Sequence, residues 1–286
     1  MPANYQAEVV GVFGQPVAEN PTGVMQEAGF AAAGLNWRYL NFEVPPEKLG
    51  AAMDAVDALG MRGINLTIPH KVAVIEYLDE LAPEARAIGA VNTVRVDGSK
   101  KIGENTDGKG FLRGVRNDAG MDPSGKRVVL LGAGGAARAI GTELVLAGVS
   151  DLLVVNRSQG RGSTMVGDLK AATGGPVRFQ QWSGTFAVPA DCDLLVNATS
   201  IGLYPDVNAA PDVDLSPASA GMLVADAVFN PPETRLLAAA RERGLPTLDG
   251  LSMLVYQGVI AFEMWTGQSP DEAAMKSALR DALGVD

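Results

Sequence analysis

Val128-Val129-Leu130-Leu131-Gly132-Ala133-Gly134-Gly135-Ala136-Ala137-Arg138-Ala139 is the stretch that decides the fold. An apolar run ending at a glycine turn reads as a strand buried on both faces, and the alanine-rich run behind the turn reads as a helix. The glycines at that junction have separate uses: Gly132 permits the tight turn, and Gly134 lets the backbone come close to a ligand. The small Ala137 stands where a third glycine often allows helix and strand to pack. A helix opening here directs unbonded N–H groups and the positive end of its dipole at whatever lies over the turn, which suits a diphosphate. Gly132, Gly134, Gly135 and Ala136 are therefore the expected dinucleotide-binding turn, set against the plainer reading that the turn only packs.

The next strand, Leu152–Val155, runs into Asn156-Arg157-Ser158, with Arg161 close behind. A carboxylate about 20 residues after the glycines would bind the ribose hydroxyls of NAD, whereas a basic group there suits the 2′-phosphate of NADP. No carboxylate occupies this strand end. Arg157 can present a planar cation to a phosphate, Arg161 adds charge and Ser158 a hydroxyl, which favours NADP and leaves NAD possible. Arginines that merely decorate an exposed loop are the competing reading.

Working outward, apolar segments at Leu194–Asn197 and Leu223–Ala225 alternate with helical stretches, as successive parallel strand-and-helix units do. Upstream, Met121–Lys126 gathers Asp, Pro, Ser and Gly and reads as a linker, so that this domain begins nearby. The first part alternates as well. Glu8–Phe13 reads as a buried strand entering the loop Gly14-Gln15-Pro16, Thr22–Gly34 as helix and Trp37–Phe42 as strand. Pro46–Leu59 reads as a helix with Leu49, Met53 and Val56 on one face. Gly63–Thr67 and Ala90–Val96 read as strands, Lys71–Tyr77 as the start of a helix, and Asn105-Thr106-Asp107-Gly108 as a glycine-bounded loop. The fold class is thus α/β throughout, with a separate N-terminal α/β layer. Met253–Phe262 and Asp271–Leu283 read as two closing helices.

Composition narrows the function. A formal net charge of −10 over 286 residues, with no basic cluster, argues against a nucleic-acid partner, so any anion must be held by a few local groups. No run approaches membrane-spanning length, and no basic stretch followed by an apolar core opens the chain, so no membrane partner and a cytoplasmic location are expected. Cys192 is the only cysteine and is read as a small buried apolar residue. His70 is the only histidine, which excludes a multi-histidine metal centre; no metal is expected, and His70 is read as a packing or surface group. Lys71, just past a strand end, and Asp107 could exchange and orient a proton on a substrate hydroxyl, although a helix-start lysine and a capping aspartate are the commoner use of such residues.

Together these segments resemble the shikimate dehydrogenase family over nearly the whole chain. The matching pieces are Asn65-Leu66-Thr67-Ile68-Pro69-His70-Lys71, Gly89-Ala90-Val91-Asn92-Thr93, Asn105-Thr106-Asp107-Gly108 and the turn at Gly132. Later come Asn156-Arg157-Ser158, Asn197-Ala198-Thr199-Ser200, Asn230-Pro231 and Gly250 through Gln257. The resemblance implies an N-terminal substrate-binding domain, residues 1–110 joined by the helices of 252–286, and a Rossmann-type NADP-binding domain, residues 111–251. It implies hydride transfer between NADP and a ring hydroxyl of shikimate, a step of aromatic amino acid biosynthesis, with a small ring carboxylate as partner and a monomer or homodimer as the assembly. Lys71 would be the acid–base residue and Asp107 its hydrogen-bonding neighbour; Thr67, Asn92 and Gln257 would hold ring hydroxyls. Asn156, Arg157, Ser158 and Arg161 would select NADP, and Thr199 and Gly250 would line the cofactor.

Two positions depart from the family pattern. A His-Ser-x-Ser-Pro stretch usually follows the first loop and grips the substrate carboxylate with two hydroxyls, but here Glu19-Asn20-Pro21-Thr22-Gly23 stands in its place. Asn20 and Thr22 are the donors left to do that work, and Glu19 would repel a carboxylate if it pointed inward. Phe229 replaces a tyrosine before Asn-Pro, which removes one hydroxyl near the substrate and relaxes discrimination there. Quinate or an amino analogue with NAD is the expected alternative. A dinucleotide-binding regulatory protein without turnover is the alternative from another class.

Overall fold

Arg127–Leu131, the strand that carries the glycine turn, is buried at every position but its first, because helices cover both faces of its sheet. The computed structural model describes residues 5–285 and divides the chain into two units, Met1–Thr106 with Gln257–Asp286, and Asp107–Tyr256.

The first unit runs β1 (Glu8–Gly14), α1 (Thr22–Ala32), β2 (Trp37–Glu43), α2 (Leu49–Ala58), β3 (Gly63–Leu66), α3 (His70–Ala73), β4 (Glu80–Leu81), α4 (Pro83–Ile88), β5 (Thr93–Asp97) and β6 (Lys100–Glu104). Its sheet has the order β2-β1-β3-β5-β6-β4. β1 lies parallel to β2 and β3, while β5 is antiparallel to β3 and β6. Alternation along the strands gives each face its own core. Val10 and Val12 meet Phe30, Phe262 and Trp265 on one side; Phe13, Ile64 and Leu66 meet Leu49, Met53 and Val56 on the other.

The second unit opens with α5 (Thr106–Asn117) and continues β7 (Arg127–Leu131), α6 (Gly135–Leu146), β8 (Asp151–Asn156), α7 (Gln159–Thr173), β9 (Val177–Gln181), β10 (Phe186–Ala187), β11 (Leu194–Asn197), β12 (Val213–Asp214), β13 (Leu223–Asp226), α8 (Arg235–Glu242) and β14 (Thr247–Leu248). Its main sheet, β14-β13-β11-β7-β8-β9, is parallel throughout. Chain order reverses between β7 and β11, the place where doubly wound sheets open a crevice at their carboxyl ends. The last helices are α9 (Gly250–Thr266) and α10 (Glu272–Leu283). Gly29 of α1 lets Met275 of α10 approach closely. No helix of the described residues is long and apolar enough to cross a membrane.

Several sequence expectations are corrected. The two units divide at Thr106/Asp107 and Tyr256/Gln257, inside helices, within a few residues of the expected 110/111 and 251/252. Met121–Lys126 is an internal turn of the second unit and not the linker, because the preceding helix already buries Phe111 and Val115 in that unit's core. Asp107 is therefore not in a loop but in the first turn of α5. Lys71–Tyr77 makes only a four-residue α-helix followed by a 3-10 turn, and Pro46–Lys48 is a 3-10 turn before α2. Ala90–Asn92 does not join β5, which starts at Thr93.

Candidate functional site

The three glycines of the turn after β7 differ in what requires them. Gly132 has φ +111°, and a Cβ there would lie 2.9 Å from the Ala198 carbonyl oxygen and 3.2 Å from the Thr199 methyl. The fold itself demands that glycine. Gly134 and Gly135 lie outside the positive-φ region, are exposed, and a Cβ on either would meet nothing within 4 Å. Packing therefore does not require glycine at either position, and both lie at the start of α6, whose N-cap, Gly134, provides no side-chain cap to the helix N–H groups. Backbone donors facing open space at a helix N-terminus fit a diphosphate, and the packing-only reading leaves Gly134 and Gly135 without a use.

At the end of β8, Asn156 Nδ2 donates to the Ser158 carbonyl (2.9 Å), and Ser158 Oγ accepts from Arg161 N (3.4 Å), capping α7. These bonds shape the loop and leave the side chains of Arg157 and Arg161 exposed. Among the described residues no carboxylate pairs with either guanidinium, in contrast to Arg138, which lies 2.7 Å from Asp168. Exposed guanidinium groups without a carboxylate partner among the described residues suit an anionic group such as a 2′-phosphate.

Thr199 is held through a device that sequence reasoning missed. Asn197 Oδ1 accepts from Thr199 N (3.1 Å) and Thr199 Oγ1 (2.7 Å), while Asn197 Nδ2 donates to Asp226 (2.9 Å). Asp226, 1% exposed, also accepts from Val228 N (3.0 Å) and Thr234 Oγ1 (2.8 Å). One buried carboxylate thus ties the loops after β11 and β13 together, and burial pushes it up to about 6 against the pull of those three donors. Its only sequence signal was an acid closing the apolar run Leu223-Val224-Ala225. Gly250 is small because its backbone lies against Val228 and Phe229, so packing accounts for it.

In the first unit, the ends of β1, β3 and the segment before β5 are stitched together. Thr67 N donates to Phe13 O (3.0 Å), Gln15 N to Ile68 O (3.0 Å), Leu66 N to Asn92 O (2.8 Å) and Val91 N to Lys71 O (2.7 Å). Thr67, Lys71 and Asn92 are therefore gathered at one edge, with Lys71 half-buried at the second residue of α3. Asn92 is 3% exposed and bonded to Thr106, the residue before Asp107. Gln257, buried, opens the return of the chain to this unit. His70 is a packing residue: its ring lies buried with Nε2 2.6 Å from Val44 O.

The departing loop is ordered by its own groups. Asn20 Oδ1 accepts from Thr22 N (2.9 Å), and Asn41 Nδ2 donates to Val17 O (3.2 Å) and Asn20 O (3.1 Å). Glu19 is exposed and Thr22 buried. Cys192 is buried as expected, and desolvation pushes its thiol up to about 11, so it is no nucleophile at neutral pH.

A parallel doubly wound sheet with an open glycine turn and unpaired cations one strand later defines a dinucleotide-binding protein of the Rossmann type. Sequence comparison makes this specific. Residues 12–94 match the shikimate dehydrogenase substrate binding domain, 116–204 the shikimate / quinate 5-dehydrogenase model and 250–280 the shikimate 5′-dehydrogenase C-terminal domain. The shikimate dehydrogenase (NADP(+)) of Methanopyrus kandleri is 42% identical over 280 residues, covering 97% of each chain. The ligand-free 5-ketofructose reductase of Gluconobacter sp. strain CHM43 is 46% identical with a TM-score of 0.93, covering 97% of this chain and 99% of its own. The Thermus thermophilus shikimate 5-dehydrogenase in complex with NADP(H) and shikimate is 35% identical with a TM-score of 0.83, covering 96% and 99%. The chain belongs to the shikimate dehydrogenase family, and with it to the nicotinamide-dependent oxidoreductases.

Proposed function

We propose that this chain interconverts shikimate, or a closely related hydroxylated ring carboxylate, and its 3-dehydro form with NADP. The observation that carries the cofactor half is the pair Gly134 and Gly135, small for a reason the protein's own packing does not supply, followed by the unpaired Arg157 and Arg161. When bound, the nicotinamide supplies the hydride acceptor or donor. The protein's residues do the rest. Lys71 takes the proton of the ring hydroxyl as the alcohol is oxidised and returns it to the carbonyl oxygen in the reverse direction, and Asp107 orients it. Thr67, Asn92 and Gln257 hold the ring hydroxyls, and Asn20 and Thr22 meet the carboxylate. Asn156, Arg157, Ser158 and Arg161 receive the 2′-phosphate, while Thr199 and Gly250 line the cofactor. The lone buried Cys192 fits a reducing, cytoplasmic setting, with the chain acting as monomer or homodimer.

A second reading is favoured by one specific feature. The loop Glu19–Thr22 lacks the paired serines, and a structure 46% identical to this chain is of a 5-ketofructose reductase. A polyhydroxylated ketone without a carboxylate would need no such grip. Steady-state assays with shikimate, quinate and 5-ketofructose, each with NADP(H) and NAD(H), separate the readings. Turnover of shikimate with NADP supports the first; turnover confined to the neutral ketone establishes the second. Absence of nicotinamide turnover with every compound would sink both.

A further inference from the structure

The loops that leave β11 and β13 are closed by side chains that are themselves fully buried. Asn197, the last residue of β11, lies in register with Asp226, the last residue of β13, and the two are 0% and 1% exposed. Backbone groups fix the sense of the Asn197 carboxamide from both sides. The Thr199 N–H can only donate, so the atom it meets at 3.1 Å is Oδ1; the Ile201 carbonyl can only accept, so the atom it meets at 3.3 Å is Nδ2. Oδ1 takes the Thr199 hydroxyl as its second donor at 2.7 Å, and Nδ2 gives its second hydrogen to Asp226 Oδ1 at 2.9 Å. Both lone pairs and both hydrogens of the carboxamide are thereby engaged. Asn197 acts only through what it holds.

What it holds is Thr199. The single hydroxyl hydrogen of Thr199 goes to Asn197, and its oxygen accepts from Ile201 N at 3.1 Å, so the side chain closes the loop on itself. Thr199 in turn stands against the glycine turn: its methyl carbon lies 3.2 Å from where a Cβ on Gly132 would be, and Ala198 N donates to Leu131 O at 2.9 Å. The Asp226 carboxylate also accepts from Val228 N at 3.0 Å, and Gly250 is seated on Val228, where any Cβ would clash with the Val228 carbonyl. Its third donor, the Thr234 hydroxyl at 2.8 Å, leads away from these loops into α8, whose first turn Thr234 caps through Leu237 N.

We propose that Asp226 and Asn197 are positioning residues for cofactor binding: without touching the ligand, they set the place of Thr199 beside the glycine turn and of Gly250 against Val228. The proposal rests on the cofactor role proposed for that turn and for Thr199 and Gly250. Because the Thr199 hydroxyl spends its hydrogen inside the protein, Thr199 meets the dinucleotide with its methyl and backbone and donates no hydroxyl hydrogen bond to it. A binding surface keeps its geometry only while the residues behind it are locked by packing and hydrogen bonds, so loosening this support costs affinity as well as stability. The three donors to Asp226 divide accordingly. Those of Asn197 and Val228 serve the cofactor loops, and that of Thr234 serves α8 alone.

The test compares wild type with Asp226→Ala, Asp226→Asn and Thr234→Val, reading the NADP Kd by fluorescence titration and the urea midpoint of each protein. Asp226→Ala takes the acceptor from Asn197 and Val228, and the NADP Kd should rise roughly tenfold, as a buried donor left unpaired implies. Asp226→Asn keeps an oxygen for both donors and turns its NH2 to the Thr234 oxygen, so its NADP Kd should stay within about twofold of wild type. Thr234→Val removes only the branch toward α8 and the cap of that helix; its urea midpoint should fall while its NADP Kd stays within about twofold. An Asp226→Ala protein with a lowered midpoint but wild-type NADP affinity would overturn the proposal, as would a Thr234→Val protein whose affinity falls as far as that of Asp226→Ala. If Asp226→Ala does not fold, Thr199→Val takes its place. It keeps the methyl and removes the bond to Asn197, and should raise the NADP Kd about fivefold; an unchanged Kd there counts against the proposal equally. A wild type that binds no NADP is a failure of the proposed function and removes this proposal with it, seen before any variant is compared.

Discussion

The strand ends of the two units hold their polar groups in opposite states. In the second unit a Cβ on Gly134 or Gly135 would meet nothing within 4 Å, and among the described residues no carboxylate pairs with the guanidinium of Arg157 or Arg161. In the first unit Asn20, Asn65, Asn92, Thr93 and Thr106 are bonded to one another and to backbone. The difference fits what each edge is proposed to receive. A diphosphate brings its own strong acceptors and needs only open backbone and loose cations, whereas a small hydroxylated molecule is told from its analogues by donors held in one orientation. Variants can pull the two designs apart.

The largest effect belongs to the one group asked to do chemistry. Lys71→Ala should lower kcat by about 100- to 10,000-fold, the range for removing an acid–base residue, with NADP affinity unchanged by fluorescence titration. Near-normal turnover would remove Lys71 from the reaction and leave the first unit's edge a binding site only.

Next come the glycines, where cofactor affinity and stability should separate. Gly135→Ala places a methyl in open space at the first residue of α6, so stability should hold or rise by about 0.5 kcal/mol, while NADP binding weakens on the order of 30-fold. Gly132→Ala should do the reverse first, destabilising the fold because its φ of +111° and the Ala198 carbonyl oppose any side chain. Equal losses of stability in both variants would mean the whole turn is structural. A smaller change is expected of Arg157→Ala: about tenfold weaker NADP, unaltered NAD, as one exposed charge-assisted contact to the 2′-phosphate implies. A parallel loss for both cofactors would remove Arg157 from NADP selection.

That contrast also sets what the sequence could tell. The open edge was legible because its residues are consecutive: a strand, a glycine turn and a cation pair each announce themselves within a dozen positions. The strands of the second unit and the face formed by Leu49, Met53 and Val56 were equally plain from periodicity. The bonded edge was not, because Tyr39, Asn65, Thr93 and Thr106 are partners only after three strands and a helix start have been brought together. Asp107 misled for a related reason. Asn-Thr-Asp-Gly looks like a turn by composition, but Asn92 supplies the acceptor for the Thr106 N–H from a distance, and α5 begins there. The linker was misplaced for the same cause, since a helix with its apolar face in the second unit precedes the residues that look like a linker.

Asp226 breaks the pattern, being a fully bonded, buried group in the unit whose edge is otherwise open, and its titration offers the finest test. Its carboxyl is pushed from an ordinary 3.8 up to about 6 by burial, so the folded protein holds that proton more tightly than the unfolded chain. The group's contribution to stability is therefore full below about pH 4 and is lost as pH rises through 6, the opposite of a salt-bridged carboxylate. Between pH 5 and 7 the loss should be on the order of 1 kcal/mol. Asp226→Asn cannot ionise, so wild type should lose about that much stability relative to the variant over this interval, read from urea unfolding at both pH values. Other carboxylates titrate alike in both proteins and cancel in the comparison. An identical stability difference at pH 5 and pH 7 would mean that Asp226 stays in one protonation state over this range, with the three donors of Asn197, Val228 and Thr234 outweighing its burial.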